Sequence, residues 1–573
     1  MEKHDNIILF NRLVYFFWIL LAGGLIYLQV IKYDYYLRLS KKNFIRRIPI
    51  PAPRGDILDR KLRPLAGSKL SFNIVINPRT KNKENSFRLL AKLLKTTPKK
   101  IQRRYRLNYF GPYRPVVVAR EVSKALAFKI EELRMVYPQI GIQPYPKRIY
   151  SYGPMLAHVL GYIRAISKNK FKRLKDYGYK PRDRIGAEGV EKSYEAYLRG
   201  RDGWIELAVD KMGRPVEVLG GKDPVKGEQL VLTVDKDLQE IVYGKLKGTV
   251  GSVIIMDPYT GEILALANWP SYDNNTMVSP RSKEIAEIFS NPLAPMLNRA
   301  IAGLYPPGST FKLVVATAGL DSGLITPSTK FYCPGYLELG GARFGCAHIH
   351  RQEVLEDAIA HSCNVYFYHV GLILGADRIF LYGKRFAFGE KTGIDLPGER
   401  GGILPSREWK KKHFSQPWFD GDTLNFSIGQ GYLLATPIQV LRMAAAIVNS
   451  GKMVRPFVGL FSGNVRINPV QTKDLMLDED VLKWVKDGMK KAVSSPEGTA
   501  HILADLRFTS VAGKTGTAQS QPGKPAHGWF VGYFPADKPR YVAIVFLEYG
   551  KSSFFAAKLL RSIIVEMHKK GMI

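Results

Sequence analysis

The sequence predicts a mixed α/β chain of the α+β kind: one apolar N-terminal helix, a mixed middle region, and a C-terminal domain built on an antiparallel sheet flanked by helices. Three observations predict it. Residues 13–31 carry Gln29 as their only strongly polar side chain. Strand-like runs stand at both ends of residues 226–573 with helical runs between them, and residues 45–225 alternate charged helical stretches with short apolar ones. Strands from the two ends of a domain form one sheet when the intervening helices cover its faces.

The apolar run comes first. At ~1.5 Å per residue, Leu13 to Ile31 reaches about 28 Å, close to the ~30 Å hydrocarbon core of a bilayer. Tyr33 to Arg38 then offers aromatics and charge rather than a small-residue cleavage site, so the reading is a retained anchor over 13–31 behind a cytoplasmic tail, 1–12. Charge argues against that orientation. Lys3 and Arg12 precede the run, whereas Lys32, Arg38, Lys41, Lys42, Arg46 and Arg47 follow it. Taken literally, the positive-inside rule keeps the bulk of the chain in the cytoplasm, but long domains translocate largely regardless of charge. The chemistry below overrules the rule.

Composition excludes little. The 85 Lys and Arg against 50 Asp and Glu give a net charge of +35, which suits anionic polymers or membrane surfaces. Nucleic acid is set aside, because the chain has no zinc-finger spacing, RRM aromatics or basic zipper and its basic residues are spread along its length.

Residues 45–225 read as a non-catalytic pedestal. Pro49 to Arg60 is extended and turn-rich, Ser86–Leu94 and Ser123–Met135 predict helices, and Val116–Val118 a strand. A glycine-bounded amphipathic helix is expected within 183–203. Its Glu188 and Glu191, three apart on one polar face, read as structural rather than as an acid–base pair.

The domain over 226–573 opens with strands at Leu230–Val234 and Ser252–Met256, and the turn Asp257-Pro258-Tyr259-Thr260-Gly261 leads into a third at Ile263–Ala267. Trp529–Phe534 and Tyr541–Glu548 predict a strand pair, and Phe554–Lys570 a long amphipathic helix. Between them lies Tyr305-Pro306-Pro307-Gly308-Ser309-Thr310-Phe311-Lys312, followed by the apolar run Leu313 to Ala318. Pro-Pro-Gly cannot sit inside a helix, so Ser309 is expected at a helix N-terminus with Lys312 on the same face. A serine is nucleophilic only when a neighbour takes its proton, and a lysine does so once its pKa is depressed. Ser-x-x-Lys alone is weak, since an N-cap serine with a surface lysine gives the same four residues. Two further boxes follow in order: Ser362-Cys363-Asn364, after a helix-like Arg351–His361, and Lys514-Thr515-Gly516-Thr517.

These boxes form the set found in penicillin-binding proteins and class A β-lactamases. With Pro53 to Arg60, Ala157 to Tyr162, Gly186 to Gly200, Met256 to Glu262 and Gly516-Thr517-Ala518, the chain resembles class B penicillin-binding proteins over nearly its whole length. Tyr305-Pro306-Pro307-Gly308, Cys333-Pro334-Gly335 and Gly429-Gln430-Gly431 before Thr436-Pro437 point to the elongation type, with the division type as the alternative. Gly429 and Gly431 do not make a nucleotide loop, for want of a third glycine and a βαβ setting.

The resemblance implies a peptidoglycan D,D-transpeptidase held outside the cytoplasm on one inner-membrane helix. It would act on stem peptides, be inhibited by β-lactams, and use no cofactor and no catalytic metal. Lys312 would take the proton of Ser309, Ser362 would pass one to the departing D-alanine, and Asn364 would hold Lys312 and the stem-peptide amide. Lys514, Thr515 and Thr517 would face the terminal carboxylate, and Gly516 would admit the backbone. A D,D-carboxypeptidase or β-lactamase-like hydrolase shares the set but passes the acyl group to water. The resemblance also implies a partner from the shape, elongation, division and sporulation (SEDS) glycosyltransferases, because the chain has no polymerase domain.

Three cysteines stay open. Outside the cytoplasm Cys333 and Cys346 would close a short disulfide loop. With His348 and His350 alongside, they would instead make a tetrahedral zinc set, and free thiols are the third reading. Cys363, inside the second box, reads as packing.

Overall fold

The computed structural model describes residues 2–79, 83–109, 111, 115–181, 183–209, 215–278 and 282–573. Of the charged groups flanking the anchor, the side chains of Lys3, Arg38, Lys41, Lys42 and Arg46 lie outside the described set. The chain divides into two compact units. The first comprises 1–54, 68–147 and 199–227, and the second 55–67, 148–198 and 228–573.

The first unit begins with the helix Glu2–Ile26, which runs through a π-helical turn, Tyr27–Ile31, into Tyr33–Phe44. Its apolar part extends over Asn6–Ile31 with none of it buried, so the exposed apolar surface, consistent with a membrane anchor, starts earlier than Leu13. Ile7, Ile8, Leu9 and Phe10 are exposed and extend it, and the helix also takes up most of the expected 1–12 tail. Three antiparallel strands follow in the order Ile45–Ile50, Gly203–Val209, Pro215–Lys222. Helices Lys83–Leu93 and Pro98–Asn108 pack together and on the strand Val116–Val122. Phe87, Leu90, Ile101, Tyr105, Val116 and Val118 make their shared core. Ser123 caps Lys124–Glu132, its hydroxyl accepting from Leu126 N.

The second unit is organised on a five-stranded antiparallel sheet in the order Ile263–Trp269, Gly251–Met256, Tyr541–Leu547, His527–Phe534, Ala512–Ala518. The Asp257 turn joins the first two in sequence, its carboxylate accepting from Tyr259 N and Thr260 N. Both faces are apolar, and alternation sorts them. Ile254, Met256, Trp529, Val531, Tyr533, Ile544 and Phe546 join one core, with Ile438, Leu441 and Ala445 of the helix Pro437–Val448. Val253, Ile255, Phe530, Phe534, Ala543 and Val545 join the other, with residues of Lys236–Leu246 and Ser553–Lys569. Each fully buried side chain of this size contributes about 1.5–3 kcal/mol. Only Ala512–Ala518 and Ile263–Trp269 stand at the ends of the order, so one long edge of the Lys514 box has no strand beside it.

Two expected helices are not continuous. Within 183–203 the chain forms a short strand, Arg184–Gly186, then helices Gly189–Ser193 and Glu195–Leu198. The backbone folds too tightly for one helix: a Cβ on Gly186 would lie 1.9 Å from Glu191 O, and Gly189 adopts φ +59. Glu191 is fully buried and receives Arg148 Nε at 2.6 Å and Tyr150 Oη at 3.2 Å. Arg351–His361 likewise opens as a strand, Arg351–Glu353, paired with Phe331–Cys333, and only Leu355–Ala360 is helical.

Candidate active site

Ser309 lies on a 3₁₀ turn, Gly308–Phe311, and not in the first turn of the α-helix, which spans Lys312–Asp321. Two backbone clamps fix that turn. Tyr305 and Ala435 exchange both hydrogen bonds, at 3.0 and 2.9 Å, and Gly308 N donates to Gly429 O at 2.9 Å. Gly429 has φ +72, and a Cβ there would come within 2.1 Å of Gly308 O. This close approach is what the Gly429 position provides. Phe311 anchors the turn from below, stacked on Phe426 with ring centroids 5.6 Å apart.

Lys312 is completely buried. Its Nζ donates to Ser362 O at 2.7 Å and Asn364 Oδ1 at 2.7 Å, with Ser362 Oγ at 3.4 Å. Among the described residues it makes no hydrogen bond to Ser309 Oγ. The second box thus converges on the first through the lysine. Ser362 is held at φ +58 between Leu355–Ala360 and the long helix Asn364–Arg385. Such a conformation in a non-glycine residue costs on the order of 1–3 kcal/mol, and here it turns the Ser362 carbonyl and hydroxyl toward Lys312. Cys363 caps the helix, its Sγ accepting from Tyr366 N.

The third box lies on the edge strand. A Cβ on Gly516 would meet Thr310 Cγ2 at 3.0 Å and Pro307 O at 3.2 Å, so this face of the strand abuts the serine turn. Lys514, on the same face by alternation, is fully buried and senses the Lys312 charge. The Thr515 and Thr517 hydroxyls turn to the other face, toward Thr499 Oγ1 at 2.7 Å and Ser553 Oγ at 3.1 Å. Thr517 O receives Gln430 Nε2 at 3.5 Å and lies 2.9 Å from where a Gly308 Cβ would stand. In a strand the N–H and C=O of one residue point to the same side. The Thr517 N–H therefore faces outward, over the serine turn.

Burial pushes the Lys312 ammonium down to about 8. Burial, with repulsion from Lys312, holds Lys514 well below its ordinary value. Two buried ammonium groups this close disfavour each other's charge.

The cysteines are not disulfide-bonded, which overturns the Cys333–Cys346 bridge. The reason is a four-membered convergence: Cys333, Cys346, His350 and Cys363 bring their donor atoms within 4.8 Å of one another. His350 Nδ1 lies 3.6 Å from Cys333 Sγ and 3.5 Å from Cys346 Sγ. His348 is not in the set, its carbonyl instead lying 3.6 Å from Cys333 Sγ. Three thiols and one imidazole match the donor chemistry and number of a tetrahedral zinc site. The cluster adjoins the second box: Asn364 N donates to Cys346 Sγ at 3.1 Å and Asn364 Nδ2 to Gly345 O at 3.0 Å.

All eight candidate residues, Ser309, Lys312, Ser362, Asn364, Lys514, Thr515, Gly516 and Thr517, thus come from segments that meet or flank one edge. Sequence reasoning missed Thr499 and Ser553 and read Gly429 and Gln430 only as a subtype signal, whereas all four set the turn and strand from outside the boxes. Only Gly429-Gln430-Gly431 carried a readable signal, its paired glycines.

Residues 251–565 match the penicillin binding protein transpeptidase domain and residues 49–232 the penicillin-binding protein dimerisation domain. The chain is 33% identical to the peptidoglycan D,D-transpeptidase MrdA of Haemophilus influenzae, covering 98% of this chain and 92% of that protein. Among solved structures it is similar to the penicillin-binding protein PBP2 of Helicobacter pylori in complex with MreC, with a TM-score of 0.84 and 28% identity over 93% of this chain and all of that one. It is also similar to a chain from a peptidoglycan synthase complex described as coordinating polymerization and crosslinking, with a TM-score of 0.74 and 30% identity over 98% of both chains.

Proposed function

The chain belongs to the class B penicillin-binding proteins, and from that membership and the geometry at Ser309 we propose how it works as a serine-type peptidoglycan D,D-transpeptidase of cell-wall elongation. The observation that carries the mechanism is the convergence of Lys312 with Ser362 and Asn364, beneath an edge strand whose Thr517 N–H faces the serine turn.

The donor peptide lies along the free edge with its terminal carboxylate at Lys514, while the Thr515 and Thr517 hydroxyls, engaged by Thr499 and Ser553, hold the strand in place. Lys312 and Lys514 cannot both be charged at little cost. A carboxylate arriving at Lys514 draws the positive charge there and favours neutral Lys312, so substrate binding itself readies the base. Neutral Lys312 takes the Ser309 proton as Oγ attacks the penultimate D-alanine carbonyl. The oxyanion is met by the N–H groups of Ser309 and Thr517. Collapse breaks the D-Ala–D-Ala amide, and the leaving amine takes its proton through Ser362. An amine from a second stem peptide then attacks the ester, returning the proton to Ser309 and forming the cross-link.

Intact-mass measurement tests this reading. Penicillin should add one acyl group to the wild type and none to Ser309→Ala, and release from the wild type should be slow in water. Turnover of D-Ala-D-Ala peptides should rise when an acceptor amine is supplied. An adduct on Ser309→Ala would sink the assignment, and rapid hydrolysis without an accumulating acyl-enzyme would make the protein a hydrolase.

The apolar N-terminal helix supports a place for this chemistry at a membrane surface. The substrate lies outside the cytoplasm, which supports a single-pass inner-membrane protein with residues 226–573 in the periplasm. Residues 45–225 hold no catalytic set and support a docking role toward a glycan-polymerising SEDS glycosyltransferase, with Gly23 and Gly24 permitting close helix approach in the bilayer. A cross-linking relative from a complex that also polymerises supports the same pairing. Co-purification from detergent, with and without residues 45–225 but with the anchor kept, tests it. Equal recovery and equal polymerase stimulation would leave that region a spacer.

A further inference from the structure

Residues 548–552 join the strand Tyr541–Leu547 to the helix Ser553–Lys569, and part of this loop walls a cavity of about 520 Å³ that the mechanism leaves unused. That volume falls within the ~300–1,000 Å³ of small-molecule sites. Leu547, Tyr549, Phe555 and Leu559 give the cavity an apolar wall, and Lys551 and Lys558 stand at it as well. No carboxylate is among its described lining residues. Both lysines are exposed, and neither makes an ion pair among the described residues. An apolar wall beside two cations and no anion fits a ligand with one apolar body and one negative charge.

The same loop bears on the strand that meets the oxyanion. The Thr517 hydroxyl donates to Ser553 Oγ at 3.1 Å, and Ser553 N donates to Thr517 Oγ1 at 3.3 Å. Tyr549 N donates to His527 Nδ1 at 3.1 Å. Gly528, which pairs with Thr517 in the sheet, passes so close that a Cβ there would stand 2.5 Å from Ser552 O. Tyr549 and Lys551 hold φ of +55 and +67, a region that side chains seldom adopt. The loop is therefore strained in the arrangement that keeps Ser553 on Thr517, and relaxing it loosens that contact.

We propose that this cavity binds a small soluble carboxylate with an aryl or alkyl body, and that its occupancy speeds acylation of Ser309. The carboxylate takes Lys551 and Lys558, and the body packs on Tyr549, Phe555 and Leu559. One compact apolar wall suits a single body of this kind and not the paired chains of a phospholipid. Bound there, the ligand ties the loop to the helix and shifts its population toward the arrangement that steadies the Thr517 N–H over the serine turn. The binding stands apart from the reaction, whereas the coupling rests on the transpeptidase reading above.

Full-length protein in discs of zwitterionic lipid, titrated with 2-naphthoate, tests both parts, with 2-naphthylmethanol and 2-naphthylmethylamine as the neutral and cationic controls. Ligand-observed NMR reads binding against empty discs, and a fluorescent penicillin reads the second-order rate of acylation. Naphthoate should bind saturably and raise the rate roughly fivefold, the low end of typical coupling between sites. The controls should do neither at the same concentration. Lys551→Gln and Lys558→Gln should each weaken naphthoate binding roughly tenfold, as loss of a charge-assisted contact implies, and leave the rate without ligand unchanged. Ser553→Ala should keep the binding and lose most of the rate gain. No binding, equal binding of all three probes, or unchanged affinity in both lysine variants overturns the site. Binding that leaves the rate unchanged, or a full response in Ser553→Ala, overturns the coupling through Thr517. If the wild type takes up no penicillin at all, the transpeptidase reading itself fails, and naphthoate binding still decides the cavity.

Discussion

Asn364 Oδ1 accepts a hydrogen bond at 2.7 Å from Nζ of the fully buried Lys312, so a charge placed at position 364 would act directly on the protonation of the lysine. Lys312 stands near 8 because burial disfavours its ammonium, and only the neutral form can take the Ser309 proton. The second-order rate of penicillin acylation, which reports the free enzyme, should therefore climb with pH and level off above about 8. Replacing the amide by a carboxylate, Asn364→Asp, favours the charged lysine and should move the midpoint upward by about 1–3 units. The variant would be slow at pH 7 and recover in alkali. A loss that is the same at every pH would show that Asn364 acts on the substrate and not through Lys312.

Lys312→Ala removes the base itself. Acylation should fall by roughly 10²–10⁴-fold, the span typical of a lost general base, and the rise toward pH 8 should vanish. Persistence of that rise would assign it to another group.

The thiol cluster gives a third expectation. Cys333, Cys346, His350 and Cys363 point at one centre, and Cys346 Sγ also accepts the Asn364 backbone N–H. Elemental analysis of the full-length protein should find about one zinc per chain, as four convergent donors imply. Removing it with a chelator should lower the melting temperature and slow acylation together, because the first residue of the Asn364–Arg385 helix leans on the cluster. Metal-free protein two mass units lighter than the reduced chain would point to a disulfide instead.

Much of this was legible in the sequence. The sheet strands were readable because both faces are covered, which leaves near-continuous apolar runs such as Ser252–Met256, and the boxes because their chemistry needs fixed residue types. The misses share one cause, a long-range partner. Cys363 reads as packing until Cys346 and His350 are brought to it from other segments. Residues 183–203 read as one helix until Gly186 and Gly189 meet backbone, and Ser309 reads as the start of an α-helix until Gly429 pins Gly308.

Arg148 and Glu191 form an ion pair with side chains 1% and 0% exposed, and Arg148 Nη1 also donates to Gly55 O. Removing one member of such a pair strands a buried charge, at about 3–5 kcal/mol. Glu191→Ala should thus lower the midpoint of chemical unfolding substantially, yet the folded fraction should still take up penicillin at the wild-type rate. A slower rate in that fraction would mean the pair reaches the active site and does more than hold the fold.

The last expectation isolates position from chemistry. Gly516 carries no reacting group, but its backbone lies against the serine turn so closely that a Cβ would meet Thr310 Cγ2 at 3.0 Å, Pro307 O at 3.2 Å and Thr310 N at 3.3 Å. Two of these neighbours are backbone atoms, and Gly308, which Gly429 clamps, belongs to the same turn, so the turn cannot retreat freely. In Gly516→Ala the edge strand must move instead, by a few tenths of an ångström. Its pairing with His527–Phe534 runs along the opposite side and should survive, so the melting temperature should change little. The Thr517 N–H, by contrast, moves away from the place where the oxyanion forms. Since a misplacement of about 1 Å can cost roughly 10²-fold, a shift of this size should slow acylation by about 3–10-fold. A crystal structure of the variant would show the strand displaced from Pro307 and Thr310. Unchanged acylation with a displaced strand would remove Thr517 N–H from the oxyanion site and leave Ser309 N–H to act there without it.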